Sequence, residues 1–358
     1  MVFQCKPALR VALASLAAGV VALSGTAALA VSPRAAVTFA GAGSTFVAPL
    51  MTGQWIPDYT RAHPDVRIVY AAIGSTAGLS RWTARQVDFA ASDAQLTPDQ
   101  ERAAAGRCGG AVVKIPATIS AMALVYNVPG VRSGLKLSPA VIADIFLGRV
   151  TRWDDPAIQG LNAGVRLPNL GIRTIHRTGG SGTTFIFTNY LSSVSPQWKS
   201  GPGAGANLAR WPTGGGAKGS AGVVQAVATT LGAIGYVDLA YAIQNTLDYA
   251  DVRNAHGSFV RPDVDAASSA ADSLAAAMPR DLQQIIVNAP AAGAYPITGY
   301  SYVDLCGRQA GAAGRALVDF VRYAVTTGQA TVSKLYYAPL PLSVQRLDTA
   351  ALDKVASS

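Results

Sequence analysis

The chain is short of the residues that most enzymes use for catalysis or for metal binding. Its 358 residues include three histidines, three cysteines and one glutamate. The histidines His63, His176 and His256 are far apart in the sequence, whereas metal ligands usually recur at close spacing. The G-x-S-x-G sequence around a hydrolase nucleophile is also missing. We therefore expect no catalytic residues, no metal site and no cofactor.

Clusters of basic residues are missing as well, although Lys and Arg outnumber Asp and Glu by 29 to 20. Nucleic-acid-binding surfaces usually combine runs of Lys and Arg with aromatic side chains. In this chain the positive residues are scattered, so we expect no nucleic-acid partner. A positive charge without clusters is compatible with a small anionic ligand or with solubility alone.

Long apolar runs are confined to the N-terminus. A basic head there is followed by an apolar run over about residues 11–23 and by an Ala-Leu-Ala pattern that ends at Ala30. This order predicts a cleavable secretory signal peptide over residues 1–30, and the run is short for the alternative, an uncleaved membrane anchor. Because Cys5 precedes the run, we do not expect a lipid-modified cysteine at the new N-terminus.

Segments with strand and helix patterns alternate along the rest of the chain. Strands are predicted to begin near Val66, Ile119, Asn169 and Gly232. Helices are predicted after Thr97 and Ser138 and over Arg315–Val325. This alternation predicts an α/β fold with parallel or mixed sheets. The Gly-rich stretch from Gly201 to Gly222 is interpreted as a long surface excursion.

Three predicted strand-to-helix junctions share one composition, glycine together with Ser or Thr. They are GAGSTF from Gly41, AIGST from Ala72 and RTGGSGTTF from Arg177. Glycine lets the backbone approach a ligand closely, hydroxyls donate hydrogen bonds, and the free N–H groups of a starting helix favour an anion. Three such junctions predict helix N-termini that converge on one negative ligand. The alternative for any single junction is an ordinary helix cap.

Asp93 follows a strand of small and apolar residues, and its negative charge would repel most anions. An ionised carboxylate only accepts hydrogen bonds, so it suits an anion that still carries a proton. Phosphate keeps at least one O–H group near neutral pH, whereas sulfate keeps none. A carboxylate in the site would therefore favour phosphate and reject sulfate. The alternative for Asp93 is a helix cap or a turn residue.

Several motifs in one order resemble the periplasmic phosphate-binding proteins of Pst ABC transport systems. They are GAGSTF, IGSTAGL, VDFAASDAQL, RWDDPAI, RTGGSGTTF, RWPTGGGAKG and GAIGYVDLAYA. The resemblance implies a type II periplasmic-binding-protein fold, in which two α/β domains enclose the ligand cleft and two crossover strands form the hinge. It places residues 31–118 and 298–358 in a discontinuous first domain and residues 119–297 in the second.

The resemblance also implies a function, namely high-affinity binding of inorganic phosphate in the periplasm and its delivery to the membrane permease subunits of an ABC transporter. Such a protein is expected to be a monomer and needs no cofactor. Three alternatives stay open. They are a binding protein for another oxyanion such as arsenate or sulfate, an exported phosphate-ester hydrolase, and an interaction protein that has lost transport.

Residue by residue, the resemblance implies a set of phosphate contacts that contribute hydroxyl groups, backbone N–H groups and two charged side chains. The set is Thr45, Phe46, Ser75, Asp93, Arg177, Ser181, Gly182 and Thr183. Asp93 would accept the proton of phosphate, and Arg177 would be the cationic partner. The family commonly has an aspartate two residues after this arginine to brace it, but this chain has Gly179 there.

Cys108 and Cys306 remain in the mature chain. From the residues alone they are either a disulfide, as an isolated pair in an exported protein often is, or two buried thiols. The resemblance places both cysteines in the first domain and so favours the disulfide.

Overall fold

The computed structural model of the chain describes residues 36–208 and 210–357. The predicted signal peptide lies outside these residues. The described part is a mixed α/β structure, and it contains no helix that is both long enough and apolar enough to cross a membrane. The strands are β1 (Val37–Gly43), β2 (Val66–Ala72), β3 (Phe89–Ser92), β4 (Val112–Tyr126), β5 (Lys136–Leu137), β6 (Arg173–Arg177), β7 (Gly215–Ala217), β8 (Ala233–Asp238), β9 (Asp248–Tyr249), β10 (Asp251–Arg253), β11 (Phe259–Val260), β12 (Thr298–Cys306), β13 (Arg308–Gln309) and β14 (Ala356–Ser357).

Helices cover the strands and connect them. A π-helical stretch, Met51–Trp55, joins the first two helices, and a 3₁₀ helix, Thr327–Leu335, precedes the last. The α-helices are α1 (Ala48–Leu50), α2 (Ile56–Ala62), α3 (Ser75–Thr83), α4 (Pro98–Cys108), α5 (Pro139–Phe146), α6 (Pro156–Gln159), α7 (Gly182–Val194), α8 (Pro196–Ser200), α9 (Gly219–Thr229), α10 (Leu239–Gln244), α11 (Val264–Ala275), α12 (Gly311–Val325) and α13 (Leu342–Leu352).

The largest sheet has the strand order β2-β1-β3-β12-β4-β8-β6-β7, with β9 also paired to β4. Strand β4 connects its two halves. Residues Val112 to Ala121 of β4 pair with β12, and Met122 to Tyr126 pair with β8. The expected crossover points therefore lie side by side, because Thr298 at the start of β12 pairs with Ala121. The domain boundaries themselves stay a prediction.

The central strands are apolar because helices or other chain segments cover both of their faces. Every residue of β3, β8 and β12 is buried, and so is β4 from Ile115 onwards. Strands buried on both faces lack the polar alternation of half-exposed strands. Apolar runs therefore predicted β8 and the interior of β4 without any alternation.

Helix starts follow the side-chain caps that the sequence predicted. The hydroxyl of Thr97 accepts from the N–H of Gln100, and the Gln100 side chain accepts from the N–H of Thr97, which forms the expected capping box before α4. Ser138 caps α5 by accepting from the N–H of Val141. Local capping chemistry fixes both helix starts, and the sequence carries it directly.

Three predicted boundaries were wrong, and one interpretation was incomplete. Helix α12 begins at Gly311, four residues before the predicted Arg315, and no side-chain cap marks this start in the sequence. Strand β4 begins at Val112, seven residues before Ile119, because its first half pairs with β12, which is distant in sequence. Strand β6 begins at Arg173 instead of near Asn169. The stretch from Gly201 to Gly222 is not only a surface excursion, since it contains edge strand β7 and the first turn of α9.

The predicted disulfide between Cys108 and Cys306 is confirmed. It joins the end of α4 to the end of β12, with 5.1 Å between the two Cα atoms and a sequence separation of 198 residues. A crosslink that closes so long a loop removes about 5 kcal/mol of chain entropy from the unfolded state in the loop-closure model. The bond therefore fixes the late strand β12 against an early part of the chain.

Candidate anion-binding site

The predicted contact residues lie together where several strands end. Thr45 and Phe46 follow β1, Ser75 follows β2, and Asp93 follows β3. Arg177 is the last residue of β6, and residues 181–183 cap and begin α7. Hydrogen bonds join the set in two groups, one around Asp93 and one around Arg177, and the first turn of α7 contributes residues to both. The three Gly-Ser/Thr junctions therefore meet at one place, as their composition indicated.

Asp93 is 2% exposed and surrounded by serine hydroxyls. Ser44 Oγ donates to Asp93 Oδ2 at 2.6 Å, and Ser75 Oγ donates to the same oxygen at 3.4 Å. Ser301 Oγ donates to Asp93 Oδ1 at 2.7 Å. A carboxylate offers about four lone-pair sites, so these three donors leave room for one further donor.

The protonation of Asp93 reflects two opposing effects. Burial raises its pKa to about 6, because the charged form loses hydration. The hydroxyls of Ser301 and Ser44 and the positive charge of Arg177 lower the pKa, because each stabilises the carboxylate. The carboxylate is therefore mostly ionised at neutral pH and can accept a proton-bearing ligand.

Arg177 is 5% exposed and lies opposite this carboxylate cluster. Its Nη1 donates to Thr183 Oγ1 at 3.0 Å and to Thr45 Oγ1 at 3.3 Å. None of the ion pairs among the described residues includes Arg177, and its buried Nε has no hydrogen-bond partner there. Burial lowers the pKa of the guanidinium. Arg177 is thus a buried cation without a carboxylate brace, which agrees with glycine at position 179.

The first turn of α7 presents donors to the same region. Ser181 caps the helix through the N–H of Thr184, and its Oγ lies 2.6 Å from Thr183 Oγ1. The N–H of Gly182 donates to Ser75 Oγ at 3.2 Å, where α3 begins. The N-termini of α3 and α7 therefore meet, and their dipoles place partial positive charge beside Arg177.

Two glycines of RTGGSGTTF allow this close approach. A Cβ atom on Gly182 would lie 2.3 Å from Asp93 Oδ2, and one on Gly180 would lie 1.9 Å from Thr76 Oγ1. Any larger residue would force these elements apart. The glycines are thus required by contact between the start of α7, the carboxylate and α3.

The N–H of Phe46, a predicted contact, has a partner within the protein. It donates to Ser44 Oγ at 2.9 Å, and that hydroxyl in turn donates to Asp93. The Phe46 ring is fully buried, and its backbone carbonyl accepts from Tyr337 at 2.6 Å. Phe46 therefore places a backbone donor at the edge of the carboxylate cluster.

Sequence reasoning missed two hydroxyls at the site. Ser301 lies inside β12, next to a register shift between Ser301 and Tyr302, and a single serine in a buried strand was the only signal. Ser220 lies in the first turn of α9, and its Oγ is 3.0 Å from Thr45 Oγ1. Its motif, GGGAKGS, resembles a phosphate loop but lacks the Gly-Lys-Ser/Thr order.

His176 is next to Arg177, and its Nδ1 lies 3.1 Å from the backbone carbonyl oxygen of Arg177, away from the guanidinium. Its ring stacks on Trp211, with 4.6 Å between the ring centroids and 7° between the planes. Burial lowers the pKa of His176, which favours the neutral ring. The imidazole therefore packs as an aromatic group. In residues 36–208 and 210–357 no group of three or more His, Cys, Asp or Glu residues could hold a metal ion.

Known proteins resemble the chain in both sequence and structure. A family model described as a PBP superfamily domain matches residues 30–327. The chain is 38% identical over 307 residues to the phosphate-binding protein PstS of Xylella fastidiosa, which covers 85% of this chain and 82% of that protein. It is 36% identical over 330 residues to PstS of Pasteurella multocida, which covers 90% and 92%.

Among solved structures, the chain resembles the phosphate-binding protein from Stenotrophomonas maltophilia. The TM-score is 0.66 at 20% identity, and the match covers 88% of this chain and 94% of that one. At this identity the likeness concerns the fold. The expected type II periplasmic-binding-protein fold is confirmed.

Proposed function

The chain belongs to the family of PstS phosphate-binding proteins, and we propose that it binds inorganic phosphate in the periplasm and delivers it to an ABC-type permease. The observation that carries this proposal is Arg177, a buried cation that no carboxylate of the described residues neutralises. A buried unpaired charge costs several kcal/mol, and an anion would remove that cost. The surrounding hydroxyls and helix N-termini suit an anion.

Asp93 would determine which anions the site accepts. Arg177 would attract an anion, whereas the oppositely charged Asp93 would repel one that has no proton to donate. Hydrogen-bond donors and helix dipoles would add to the attraction, and Asp93 would require an anion with a proton. Inorganic phosphate meets this requirement near neutral pH. Arsenate is protonated in the same way and is expected to bind as well.

Binding would exchange hydrogen bonds that the site now makes with itself. The hydroxyls of Ser75, Ser181 and Thr183 would turn from each other, and from Asp93, toward phosphate oxygens. The N–H groups of Arg177 that now donate to Thr45 and Thr183 would donate to the ligand instead. Charge-assisted bonds to an oxyanion are stronger than the hydroxyl pairs that they replace.

Phosphate binding would also favour closure of the two predicted domains. Thr45, Ser75 and Asp93 fall in the predicted first domain, and Arg177 and residues 181–183 fall in the second. Phosphate held from both sides would favour the closed form over an open one, since only the closed form supplies all the contacts. The paired strands β4 and β12 are the proposed hinge. The closed form would then dock on the permease as a monomer.

Calorimetric titration of the mature chain, stripped of bound ligand, tests the proposal. We expect tight phosphate binding, competition by arsenate and no response to sulfate near neutral pH. The same preparation should not hydrolyse a phosphate monoester such as p-nitrophenyl phosphate. Sulfate binding as tight as phosphate binding would contradict the role of Asp93, and monoester turnover that Ser181→Ala abolishes would support the hydrolase alternative.

A further inference from the structure

A cavity of about 730 Å³ lies beside the candidate site. Its lining includes the buried Ser220 and the neighbouring Thr45, whose hydroxyl oxygens lie within hydrogen-bond distance of each other. Its exposed lining includes the side chains of Arg81 and Lys218. The cavity therefore runs from solvent-exposed cations to the edge of the anion site.

The two cations come from the two halves of the large sheet. Arg81 lies in the last turn of α3, which packs on β1 and β3. Lys218 directly precedes α9, which packs on β6 and β8. No Asp or Glu lines the cavity, and within the described residues neither cation takes part in an ion pair. The cavity thus has an uncompensated positive charge on both sides.

A hydroxyl pair separates this cavity from Arg177. Thr45 Oγ1 lies 3.0 Å from Ser220 Oγ and accepts from Arg177 Nη1 at 3.3 Å. Thr45 follows β1 and Ser220 lies in α9, so the pair joins the two halves of the sheet. An opening of this pair would connect the cavity with the buried guanidinium.

Tyr241 supports the same path. It lines the cavity, and burial together with the negative charge of Asp238 raises the pKa of its hydroxyl to about 12, against a smaller lowering by Arg177. The hydroxyl therefore stays protonated at physiological pH and can donate to a passing anion.

We propose that this cavity is a capture site for inorganic phosphate, in which Arg81 and Lys218 hold the anion before it passes the Thr45–Ser220 pair to reach Arg177. The capture site rests on the proposed function, because it supplies the same ligand to the same site. It contributes to the rate of binding and not to retention, since exposed cations attract an anion at a distance but hold it weakly.

The capture site differs from the inner site in selectivity. It has no carboxylate that must accept a proton, so it takes sulfate as readily as phosphate. Sulfate should therefore slow phosphate association more than chloride does at equal ionic strength, without displacing phosphate already bound. Selection between the two anions takes place only at Asp93.

Stopped-flow tryptophan fluorescence with inorganic phosphate tests this proposal. In the double variant Arg81→Gln/Lys218→Gln, the association rate constant should fall by about tenfold at low ionic strength, and the dissociation rate constant should change by less than about twofold. The effect of sulfate on association should disappear together with the two charges. An unchanged dissociation rate constant also shows that the inner site is intact.

The matched control is Arg280→Gln/Lys334→Gln, which removes the same charge from exposed residues that neither line the cavity nor form ion pairs in the described part of the chain. We expect its association rate constant to match that of the unmodified protein. An equal loss in both double variants, or no loss in either, would overturn the capture site and leave the proposed function intact. An unmodified chain that binds no phosphate would overturn both.

Discussion

Asp93 and Arg177 carry opposite charges on the two sides of the candidate site, and the protein stabilises them differently. Three serine hydroxyls donate to the carboxylate of Asp93. The guanidinium of Arg177 has only two threonine hydroxyls as acceptors, and its buried Nε has none among the described residues. The side of the site around Arg177, the arginine side, therefore lacks an anionic partner. On the side around Asp93, the aspartate side, the hydrogen-bonding capacity of the carboxylate is nearly filled.

This difference separates affinity from selectivity. The unpaired Arg177 gains most from an anion, so its side should determine how tightly an anion binds. Asp93 accepts one more donor at most, so its side should determine which anion is accepted. Substitutions on the arginine side should lower the affinity for every anion. Substitutions on the aspartate side should alter the ratio of the affinities for different anions.

The largest expected effect is that of Arg177→Met, which removes the cation and keeps an apolar chain of similar reach. Phosphate affinity should fall by about a thousandfold, because a desolvated charge-assisted contact contributes several kcal/mol. Titration calorimetry measures the change, with Arg173→Met as the control at an exposed position of the same strand. If Arg177→Met kept phosphate affinity within about threefold of the unmodified protein, the arginine side would not determine affinity.

Ser181→Ala/Thr183→Ala should have the next largest effect. The double variant removes two hydroxyl donors at the start of α7 and leaves its backbone N–H groups, so phosphate affinity should fall by about a hundredfold. The affinities for phosphate and arsenate should fall together, because these hydroxyl donors bind ligand oxygens whether or not the ligand carries a proton. A loss confined to one anion would show that α7 contributes to selectivity, contrary to the comparison.

Sulfate binding should depend on pH through Asp93. Sulfate carries no proton, so it should bind better once Asp93, with a pKa of about 6, becomes protonated and can donate to it. Affinity should rise by about tenfold as the pH falls from about 7 to about 5, since the protonated fraction rises by that factor. In Asp93→Asn this pH dependence should disappear. Sulfate affinity that is flat with pH in the unmodified protein would place the carboxylate away from the anion.

Ser301→Ala should have the smallest effect, on the pKa of Asp93. The variant removes the donor at 2.7 Å from Oδ1, a bond that lowers the pKa, so the midpoint of the sulfate pH profile should move upward from about 6. Phosphate affinity near neutral pH should fall by only about threefold. Ser120→Ala, which removes a buried β4 hydroxyl that bonds to the carbonyl of Ala121, should leave the midpoint in place. The same shift in both variants would indicate general loosening of the sheet.

The sequence predicted the parts of the site that local chemistry determines. Each Gly-Ser/Thr junction combines a strand end, a tight approach and a helix start within a few residues, so its pattern is visible in one short stretch. The resemblance to a known family then assigned roles to the individual positions. Those roles stay predictions, but each of the residues concerned belongs to one of two hydrogen-bonded groups, around Asp93 or around Arg177.

The missed features depend on contacts between distant parts of the chain. Ser301 is 208 residues from Asp93, and Ser220 is 175 residues from Thr45. Ser301 has no local motif, and the Gly-rich motif around Ser220 lacks the residue order of a phosphate loop. The early start of β4 at Val112 has the same origin, because its pairing partner is β12. Tertiary pairing, which single-sequence patterns do not contain, determined these features.

The comparison between the two sides is tested most directly by the ratio of phosphate to sulfate affinity in Asp93→Asn and in the unmodified protein near neutral pH. The asparagine keeps the shape of the side chain, removes its charge and adds a donor. We predict that sulfate affinity rises by about tenfold, because only about a tenth of Asp93 is neutral at about pH 7 when its pKa is about 6, while phosphate affinity falls less, so that the ratio drops by more than about tenfold. An unchanged ratio would contradict the assignment of selectivity to the buried carboxylate.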